Sequence, residues 1–291
     1  MRIGVPKETF PGEGRVAAAP SAARALAQAG HVVIVEQGAG AASGLGDDEY
    51  IRAGAEIAPT AEEVFDRAEL VWKVMPLSAH EARLAKQRVL DFPALAADDT
   101  VRAAMSEIAG RLAVEAASHA LQRQNGGRGL LLGGVPGVEA ASVVVVGAGV
   151  AGRGAAALAA AMGAVVRVLD VDVARLRGLA GVQTLVATPH TVERALALAD
   201  VVIAAVRSPD GSVPRVATRA HLALMQPGAV VVDLAGGAFE STPPTTLDAP
   251  AEEVDGIVHI GVPNFPGAVP RTASVALSQA SLPRVLAALA G

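Results

Sequence analysis

Three glycines stand at a spacing that nucleotide-binding proteins use. Gly147, Gly149 and Gly152 form a G-x-G-x-x-G pattern directly after the apolar run SVVVV and at the start of an alanine-rich helical stretch. The first glycine allows a tight turn, the second lets a diphosphate approach the backbone, and the third lets the helix pack on the strand. Val150 and Ala151 begin the predicted helix, whose N-terminal N–H groups would face the phosphates. The pattern predicts that these five residues bind a dinucleotide.

An acidic residue completes this pattern. Asp170 ends the next apolar run, VVRVLD. A carboxylate at that place accepts hydrogen bonds from the ribose hydroxyls and repels a 2′-phosphate, so the sequence predicts NAD rather than NADP as the cofactor. The alternative is a glycine-rich turn that binds nothing. This alternative requires the apolar strand, the three glycines, the helix and the carboxylate to occur together by chance.

Alternating strand and helix patterns must position these residues. The apolar runs RIGV, HVVIVEQ and LVWKV alternate with the helical stretches SAARALAQAG and TAEEVFDRA. After the glycine-rich break NGGRG come the runs SVVVVGAG, VVRVLD, QTLVA, DVVIAAV, AVVVDLA and GIVHIGV. Such alternation predicts parallel sheets with helices on both faces. We expect an α/β protein with two doubly wound parallel-sheet domains, the second a Rossmann domain that binds the dinucleotide.

Composition excludes several other classes of function. Aromatic residues make up 2% of the 291 residues and the net charge is -5, which disfavours nucleic acid as a partner. There is no cysteine, so disulfides and thiol nucleophiles are excluded, and the six histidines show no metal-ligand spacing. We therefore predict no metal site. Because no apolar run is long enough to cross a bilayer and no signal-peptide pattern is visible, we expect a cytoplasmic protein without a membrane partner.

Several segments resemble one known family. RIGVPKE, GRVAAAP, MSEIAGRLA, NGGRGLLLGGVPGV, PGAVPRT and ASLPRVLAAL are similar to stretches of alanine dehydrogenases and, less closely, of the NAD-binding subunit of proton-translocating transhydrogenases. The likeness runs in order along nearly the whole chain. It implies a substrate domain made of residues 1–124 and 270–291, truncated relative to the family, and an NAD-binding domain over residues 125–269. The C-terminal helix is expected to return to the first domain.

The resemblance also implies how a substrate is bound. In this family an arginine in the loop after the first strand clamps the substrate carboxylate, and the matching residue is Arg15. Lys73, in the run LVWKV, matches the lysine that holds the carboxylate or the adjacent carbonyl oxygen. Arginine suits bidentate binding and lysine acts as a point charge. A small carboxylate-bearing substrate is therefore expected. Glu8 and Glu13 are interpreted as residues that solvate or orient the loop.

Two departures from the family pattern bear on the chemistry. The family has a catalytic histidine where this chain has Ala94, in FPALAAD. It also has an aspartate in the loop after VVVDLA, and here that loop is shortened to DLAGGAFE. A strand and a helix expected between LAADD and MSEIAG are missing as well. Oxidative deamination needs a proton acceptor and a placed water, and one positioned acid–base group typically contributes about 10²–10⁴-fold in rate. The sequence thus predicts negligible deamination of alanine.

Few residues offer a replacement for the lost groups. His80 follows the Lys73 strand and is a candidate catalytic residue, although a histidine on a helix surface is the simpler interpretation. His259 precedes the segment IGVPNFPG, which runs along the nicotinamide in this family, and Asn264 matches a residue there that touches the cofactor.

Three functions remain open at this point. The first is an NAD(H)-dependent oxidoreductase that reduces a preformed C=N bond in a small amino or imino acid. The second is a non-catalytic NAD-binding protein or partner subunit, and the third is a lyase or cyclase that oxidises and re-reduces one substrate. A carboxylate clamp favours the first over the second. An alanine-rich chain with a long interdomain helix is expected to form a homodimer.

Overall fold

The computed structural model describes residues 1–208 and 210–290, which form two compact units. The N-terminal unit comprises Met1–Met105 and Pro266–Gly291, and the central unit comprises Ser106–Phe265. Each unit contains one sheet with helices packed against it. The α/β class with two parallel-sheet units, predicted from the alternation of patterns, is confirmed.

The N-terminal unit is built on a five-stranded parallel sheet. Its elements are β1 (Arg2–Val5), α1 (Pro20–Gln28), β2 (Val32–Glu36), α2 (Asp47–Arg52), β3 (Glu56–Ala58), α3 (Ala61–Arg67), β4 (Leu70–Trp72), α4 (Glu81–Leu84), β5 (Arg88–Leu90) and α5 (Phe92–Leu95). The strand order is β3-β2-β1-β4-β5. The order reverses between β1 and β4, so the loops that follow these two strands leave the same edge of the sheet side by side. Open α/β sheets bind ligands at such switch points.

The central unit has the strand order of a dinucleotide-binding domain. Its elements are α6 (Asp99–Ala120), β6 (Ser142–Val146), α7 (Val150–Ala161), β7 (Val165–Asp170), α8 (Val173–Leu176), β8 (Gln183–Val186), α9 (Pro189–Ala197), β9 (Val201–Ala204), β10 (Val230–Asp233), β11 (Glu252–Val254) and β12 (Ile257–Ile260). The sheet order is β11-β12-β10-β9-β6-β7-β8. Read from β8 to β12, this is the doubly wound order 3-2-1-4-5-6 of Rossmann domains.

The chain then re-enters the N-terminal unit through α10 (Pro270–Ala290). The unit boundaries lie after Met105 and Phe265, whereas the sequence prediction placed them after residues 124 and 269. Helix α6 explains the first difference. Its small apolar residues Ala113, Val114 and Ala117 are buried in the core of the central unit together with side chains of the central sheet. Gly110 allows this packing, because a Cβ at that position would lie 2.0 Å from the carbonyl oxygen of Ala151 in α7.

One strand departs from the parallel arrangement predicted for both sheets. β11 pairs with β12 in the antiparallel sense at the edge of the central sheet. The two strands are joined by Asp255 and Gly256, which both adopt positive φ angles, 52° and 78°. An Asp-Gly pair between apolar runs is a strong signal for a two-residue hairpin turn. This local turn signal accounts for the antiparallel strand. The prediction of parallel sheets rested on the alternation of strands and helices and did not include it.

Candidate functional site

A buried lysine and two glutamates meet at the switch point of the N-terminal sheet. Lys73 follows β4, is 1% exposed, and donates its backbone N–H to the carbonyl of Leu90 at 2.9 Å. Its Nζ donates to Oε1 of Glu81 and lies 3.4 Å from Oε2 of Glu8. A lysine taken out of water needs counter-charges, and this pair of carboxylates supplies them. We refer to Glu8, Lys73 and Glu81 as the lysine cluster.

The two carboxyls of the lysine cluster differ in their acidity. Burial raises the pKa of Glu8, even though Lys73 and two backbone N–H groups act in the opposite direction. Those N–H groups belong to Val74, 2.7 Å from Oε1, and Met75, 3.3 Å from Oε2. Burial also acts to raise the pKa of Glu81, but hydrogen bonds from Lys73 and from a backbone N–H outweigh it, and the pKa is lowered. Glu81 is thus the firmly ionised partner of the lysine.

Arg15 lies in the loop after β1 and is held from one side by a carboxylate. Its Nε donates to Oε1 of Glu13 at 2.7 Å, and its Nη2 donates to Oε2 at 2.5 Å. On the other side, Nη1 lies 3.5 Å from Sδ of Met105. Glu13 occupies the fork formed by Nε and Nη2. The terminal fork, formed by Nη1 and Nη2, retains N–H donors for a second planar anion.

Helix α10 fixes the segment that carries Arg15. The backbone N–H of Val16 donates to Oγ of Ser274, and that of Ala19 donates to Oγ of Ser278, both at 3.0 Å. Both serines are fully buried. The segment therefore satisfies its backbone through side chains of a helix that comes from the far end of the chain. This places the guanidinium of Arg15 on a rigid support.

Among the described residues, His80 and Ala94, both singled out in the sequence, form no hydrogen bond or ion pair with the lysine cluster. The side chain of His80 is 56% exposed, and its Nε2 lies 3.0 Å from Oε1 of Glu62 on α3. The structure therefore places His80 on the surface, where the simpler interpretation put it. Ala94 is exposed on α5 and lines a cavity of about 340 Å³ in the N-terminal unit.

In the central unit, the three glycines adopt the geometry of a phosphate-binding turn. Gly147 follows β6 with a φ of 102°, which disfavours any side chain. A Cβ on Gly152 would lie 1.8 Å from the carbonyl oxygen of Gly147, so helix α7 can approach the turn only with glycine there. A Cβ on Gly149 would meet nothing within 4 Å, so space is open over the helix N-terminus. Val150 and Ala151 form the first turn of α7, and this cradle fits a diphosphate.

Asp170 is tied to this turn. It ends β7 and is 6% exposed, and its Oδ2 accepts the N–H of Ala148 at 2.6 Å. Its Oδ1 accepts the N–H of Asp172 at 2.8 Å. Each carboxylate oxygen still has a lone pair for a further donor. The arrangement fits the acidic residue that receives ribose hydroxyls in NAD sites.

Substitution of two of these glycines by alanine should separate folding from cofactor binding. Gly152→Ala pushes the backbone of α7 away from the turn, so we expect a lower thermal unfolding midpoint and NADH binding weakened by about tenfold or more. Gly149→Ala places a methyl group in the open space, so we expect an unchanged midpoint with similarly weakened NADH binding. Thermal unfolding without cofactor and calorimetric titration with NADH measure the two effects. NADH binding by Gly149→Ala at the wild-type affinity would contradict the proposed cradle.

The shortened loop after β10 is wrapped around a carboxylate. Asp233 is 2% exposed, and its oxygens accept the N–H groups of four loop residues, each at 3.0 Å: Ala235, Gly236, Gly237 and Phe239. With all four bonds made, Asp233 is committed to holding the loop in shape. Residues 234–239 read LAGGAF and bring no acid–base side chain of their own.

His259 is a core residue of β12. Its ring is fully buried, and Nδ1 lies 2.8 Å from Oγ1 of Thr242. Within the described residues, Nε2 has no hydrogen-bond partner. Burial lowers the pKa of His259 to about 4, although the nearby charges of Asp233 and Asp255 act to raise it. The imidazole is therefore neutral at physiological pH and is a poor proton donor there.

This depressed pKa predicts a loss of stability in mild acid. Between the ordinary pKa of 6.5 and about 4, the unfolded chain protonates His259 while the folded chain does not. The contribution is present above pH 6.5 and is lost as pH falls towards 4, by about 3 kcal/mol in all. We expect denaturant unfolding to show a weaker pH dependence for His259→Leu than for the wild type.

Exposed His190 provides the matched control, as His190→Gln. Comparing variant with wild type cancels the contributions of Glu8 and Glu36, whose raised pKa values act in the opposite direction. An identical pH dependence of wild type and His259→Leu would show that His259 is protonated as easily in the folded state as in the unfolded chain.

Three further observations complete the description of the site. Asn264 is half-buried and directly precedes a 3₁₀ turn at Phe265–Ala268. Over residues 1–208 and 210–290, no group of three or more His, Cys, Asp or Glu side chains is arranged to hold a metal ion. In the same part of the chain, none of the helices combines the length and apolar character needed to cross a membrane.

The sequence does not predict which carboxylates pair with the two cations, Arg15 and Lys73. The sequence patterns assign no role to Glu81 and predict for Glu8 only that it solvates or orients its loop. The signal was present in the lysine itself, because a lysine within an apolar run needs a buried counter-charge. The sequence alone could not say which of the many glutamates provides it.

Comparison with known proteins relates both units to one family. The family model "Alanine dehydrogenase/PNT, N-terminal domain" matches residues 4–132, and "Alanine dehydrogenase/PNT, C-terminal domain" matches residues 113–290. An alanine dehydrogenase of Methanococcus maripaludis is 40% identical over 323 residues, which cover 98% of this chain and 87% of the relative. Since this chain has 291 residues, the relative carries stretches that have no counterpart here.

Solved structures agree with this relationship. An L-alanine dehydrogenase structure superposes with a TM-score of 0.91 at 38% identity and covers 98% of this chain and 89% of its own. A transhydrogenase from Sinorhizobium meliloti superposes with a TM-score of 0.85 at 29% identity, with 99% and 94% coverage. The family resemblance and the NAD cofactor expected from the sequence are thereby confirmed. The chain belongs to the alanine dehydrogenase/PNT family of NAD-dependent oxidoreductases.

Proposed function

We propose that this protein uses NADH to reduce a preformed C=N bond in a small carboxylate-bearing imino acid, and that it does not deaminate alanine. The loop after β10 carries the proposal. The carboxylate of Asp233 accepts hydrogen bonds from four backbone N–H groups, and residues 234–239, which follow it, carry no acid–base side chain. Converting an amino acid into an oxo acid and ammonia requires water to add and a carbinolamine to break down. Reduction of a C=N bond requires neither step.

The substrate carboxylate is proposed to bind to Arg15. Glu13 holds the Nε and Nη2 side of the guanidinium, which presents the terminal fork to a second carboxylate without displacing the first. Bidentate binding of this kind fixes orientation as well as charge. Lys73 is proposed to hold the neighbouring polar end of the substrate through an N–H of its ammonium group. Both residues emerge from loops at the switch point of one parallel sheet.

The proposed reaction has a simple balance. NADH, when bound, supplies a hydride to the imine carbon, the C=N double bond becomes a single bond, and the nitrogen takes up one proton. A cyclic or acyclic iminium ion already carries that proton. The chain then has to bind the substrate, orient it and exclude water, and this need not involve a histidine at position 94.

A non-catalytic NAD-binding protein is the second candidate. One observation favours it: Lys73 is fully buried and already paired with two carboxylates, so its charge is compensated before any substrate arrives. Such a protein would bind NADH through the glycine turn and Asp170 and turn over no substrate. This alternative makes a different prediction in the same assay.

The deciding assay follows NADH absorbance with two groups of substrates. One group is pyruvate with ammonia, and the other is a panel of cyclic and acyclic imino acids, oximes and hydrazones that carry a carboxylate. We expect turnover of at least one C=N compound and negligible turnover of pyruvate with ammonia. Robust turnover of pyruvate and ammonia would overturn the proposal. Tight NADH binding without turnover of any compound would support the second candidate instead.

We also propose that the chain forms a homodimer, as its family likeness and alanine-rich, apolar composition suggest. Light scattering at micromolar concentration is expected to give twice the chain mass of 29.1 kDa. A mass equal to one chain under these conditions would contradict the proposal.

A further inference from the structure

Two oppositely charged side chains are fastened to the same residue of the glycine turn. The N–H of Ala148 donates to Oδ2 of Asp170 at 2.6 Å, and its carbonyl accepts a hydrogen bond from Nε of Arg153 at 3.0 Å. The carboxylate and the guanidinium are therefore held on the two polar groups of one residue. The glycine pattern and the acidic residue of the sequence motif do not require an arginine at position 153.

Two hydrogen bonds hold Arg153 in place, and they do not use all of its N–H donors. It lies near the start of α7 and is half-buried, and its Nη2 donates to the carbonyl of Arg175 in helix α8, which follows Asp170 by two residues. Among the described residues, no partner is found for Nη1, which has two N–H donors. The arginine thus connects the glycine turn to helix α8, and the two N–H donors of Nη1 remain without a partner in the described part of the chain.

The surroundings of Asp170 fit an adenosine. Val171, directly after it, is 77% exposed, and Val150, at the start of α7, is 44% exposed. Exposed apolar side chains next to a buried carboxylate offer a face for an aromatic base beside an acceptor for ribose hydroxyls. A nearby arginine is the residue that accommodates a 2′-phosphate in NADP sites, whereas a carboxylate repels it.

We propose that Arg153 is a specificity-determining residue whose effect is masked by Asp170. In the native chain the carboxylate of Asp170 rejects a 2′-phosphate. When Asp170 is replaced by a small neutral residue, the spare N–H groups of Arg153 bind that phosphate, and the site accepts NADP(H) without further redesign. The same guanidinium adds little to NAD(H), which has only a hydroxyl at this position.

A double-mutant cycle tests the proposal by binding alone. The variants are Asp170→Ser, Arg153→Met and the combination of the two, and calorimetry gives the affinities for NADH and NADPH. We expect Asp170→Ser to tighten NADPH binding by about tenfold or more and to weaken NADH binding. In the Asp170→Ser background, Arg153→Met is expected to remove most of the gain for NADPH while changing NADH binding much less.

Controls separate this role from a structural one. Arg175, exposed on α8 and paired with Asp172 at 3.6 Å, is the matched cation, and Asp170→Ser with Arg175→Met should keep the NADPH gain. Arg153→Lys in the Asp170→Ser background retains a positive charge and should keep part of the gain. The proposal is overturned if Asp170→Ser brings no gain for NADPH, or if Arg153→Met weakens both nucleotides equally. Equal weakening would mean that the arginine only supports the turn.

Discussion

Replacing Arg15 by lysine is expected to lower kcat/KM for the imino acid substrate by about 10²–10³-fold. Lysine keeps the positive charge but cannot form two parallel N–H···O bonds to a carboxylate. Each hydrogen bond to a charged group contributes about 1.5–3 kcal/mol, and the loss of one such bond together with its orientation gives a factor of this size. Steady-state kinetics with the C=N compound that the panel identifies measures the effect.

Two comparisons make this experiment specific to the clamp. Exposed Arg24 on α1 supplies the matched variant Arg24→Lys, for which kinetics should be unchanged. Glu13→Gln keeps Arg15 but weakens the side that holds it. We expect that variant to raise KM moderately, because the guanidinium loses its fixed orientation. If Arg15→Lys turns over the substrate at the wild-type rate and KM, Arg15 does not clamp the carboxylate.

Many strands of this fold could be predicted because their sequences are continuous apolar runs. Runs such as SVVVV and VVRVLD are apolar over the length of a strand, and both appear as parallel strands in the central sheet. Four short elements, α2, β3, β5 and β11, were not predicted, whereas β4, which has three residues, lies within the longer apolar run LVWKV. A strand of three residues carries too few side chains to establish a period of two, and its pairing is decided by neighbouring strands.

The cofactor turn of the central unit and the lysine cluster of the N-terminal unit differ in the same way. The cofactor turn is local: its glycines are required by contacts within a few residues, as between Gly152 and Gly147, so the pattern in the sequence reports the geometry. The lysine cluster is assembled from a loop after β1, the end of β4 and the start of α4. Which carboxylates meet Lys73 depends on strand order, which the sequence determines only through the whole fold. Arg153 lay within the predicted helix, but its role depends on where its side chain folds back.

The two cations proposed to bind the substrate share one feature that the sequence did not reveal. Arg15 and Lys73 are both nearly inaccessible to solvent, and each is paired with carboxylates of its own unit. Around Arg15, Nη2 donates to Glu13 and Nη1 donates to Sδ of Met105, and each nitrogen retains one further N–H donor. Around Lys73 the pairing surrounds the ammonium with two acceptors, one of them a carboxyl whose pKa is raised by burial. Arg15 is therefore the primary binding group in the proposed function, whereas Lys73 has a structural role as well.

The structural role of Lys73 leads to the second large effect. Lys73→Met is expected to lower the free energy of unfolding at pH 8 by about 3–5 kcal/mol, because it leaves the buried carboxylates of Glu8 and Glu81 without their counter-charge. Without the cation, the pKa values of both carboxyls in the folded state should rise above those in the unfolded chain. The folded state then binds more protons than the unfolded state, so the deficit should shrink as pH falls from 8 to 5. Denaturant unfolding of variant and wild type at both pH values measures this.

A triple variant without any of the three charges distinguishes the effect of the unpaired carboxylates from the effect of lost side-chain packing. Combining Lys73→Met with Glu8→Gln and Glu81→Gln removes all three charges, and replacing a buried ionic group by neutral side chains of similar size is often neutral or stabilising. We therefore expect the triple variant to recover most of the stability that Lys73→Met loses, with little dependence on pH. Lys86→Met, at an exposed lysine, should leave stability within about 0.5 kcal/mol of the wild type. If the triple variant is as unstable as Lys73→Met at both pH values, Lys73 stabilises the fold through the packing of its side chain and not through its charge.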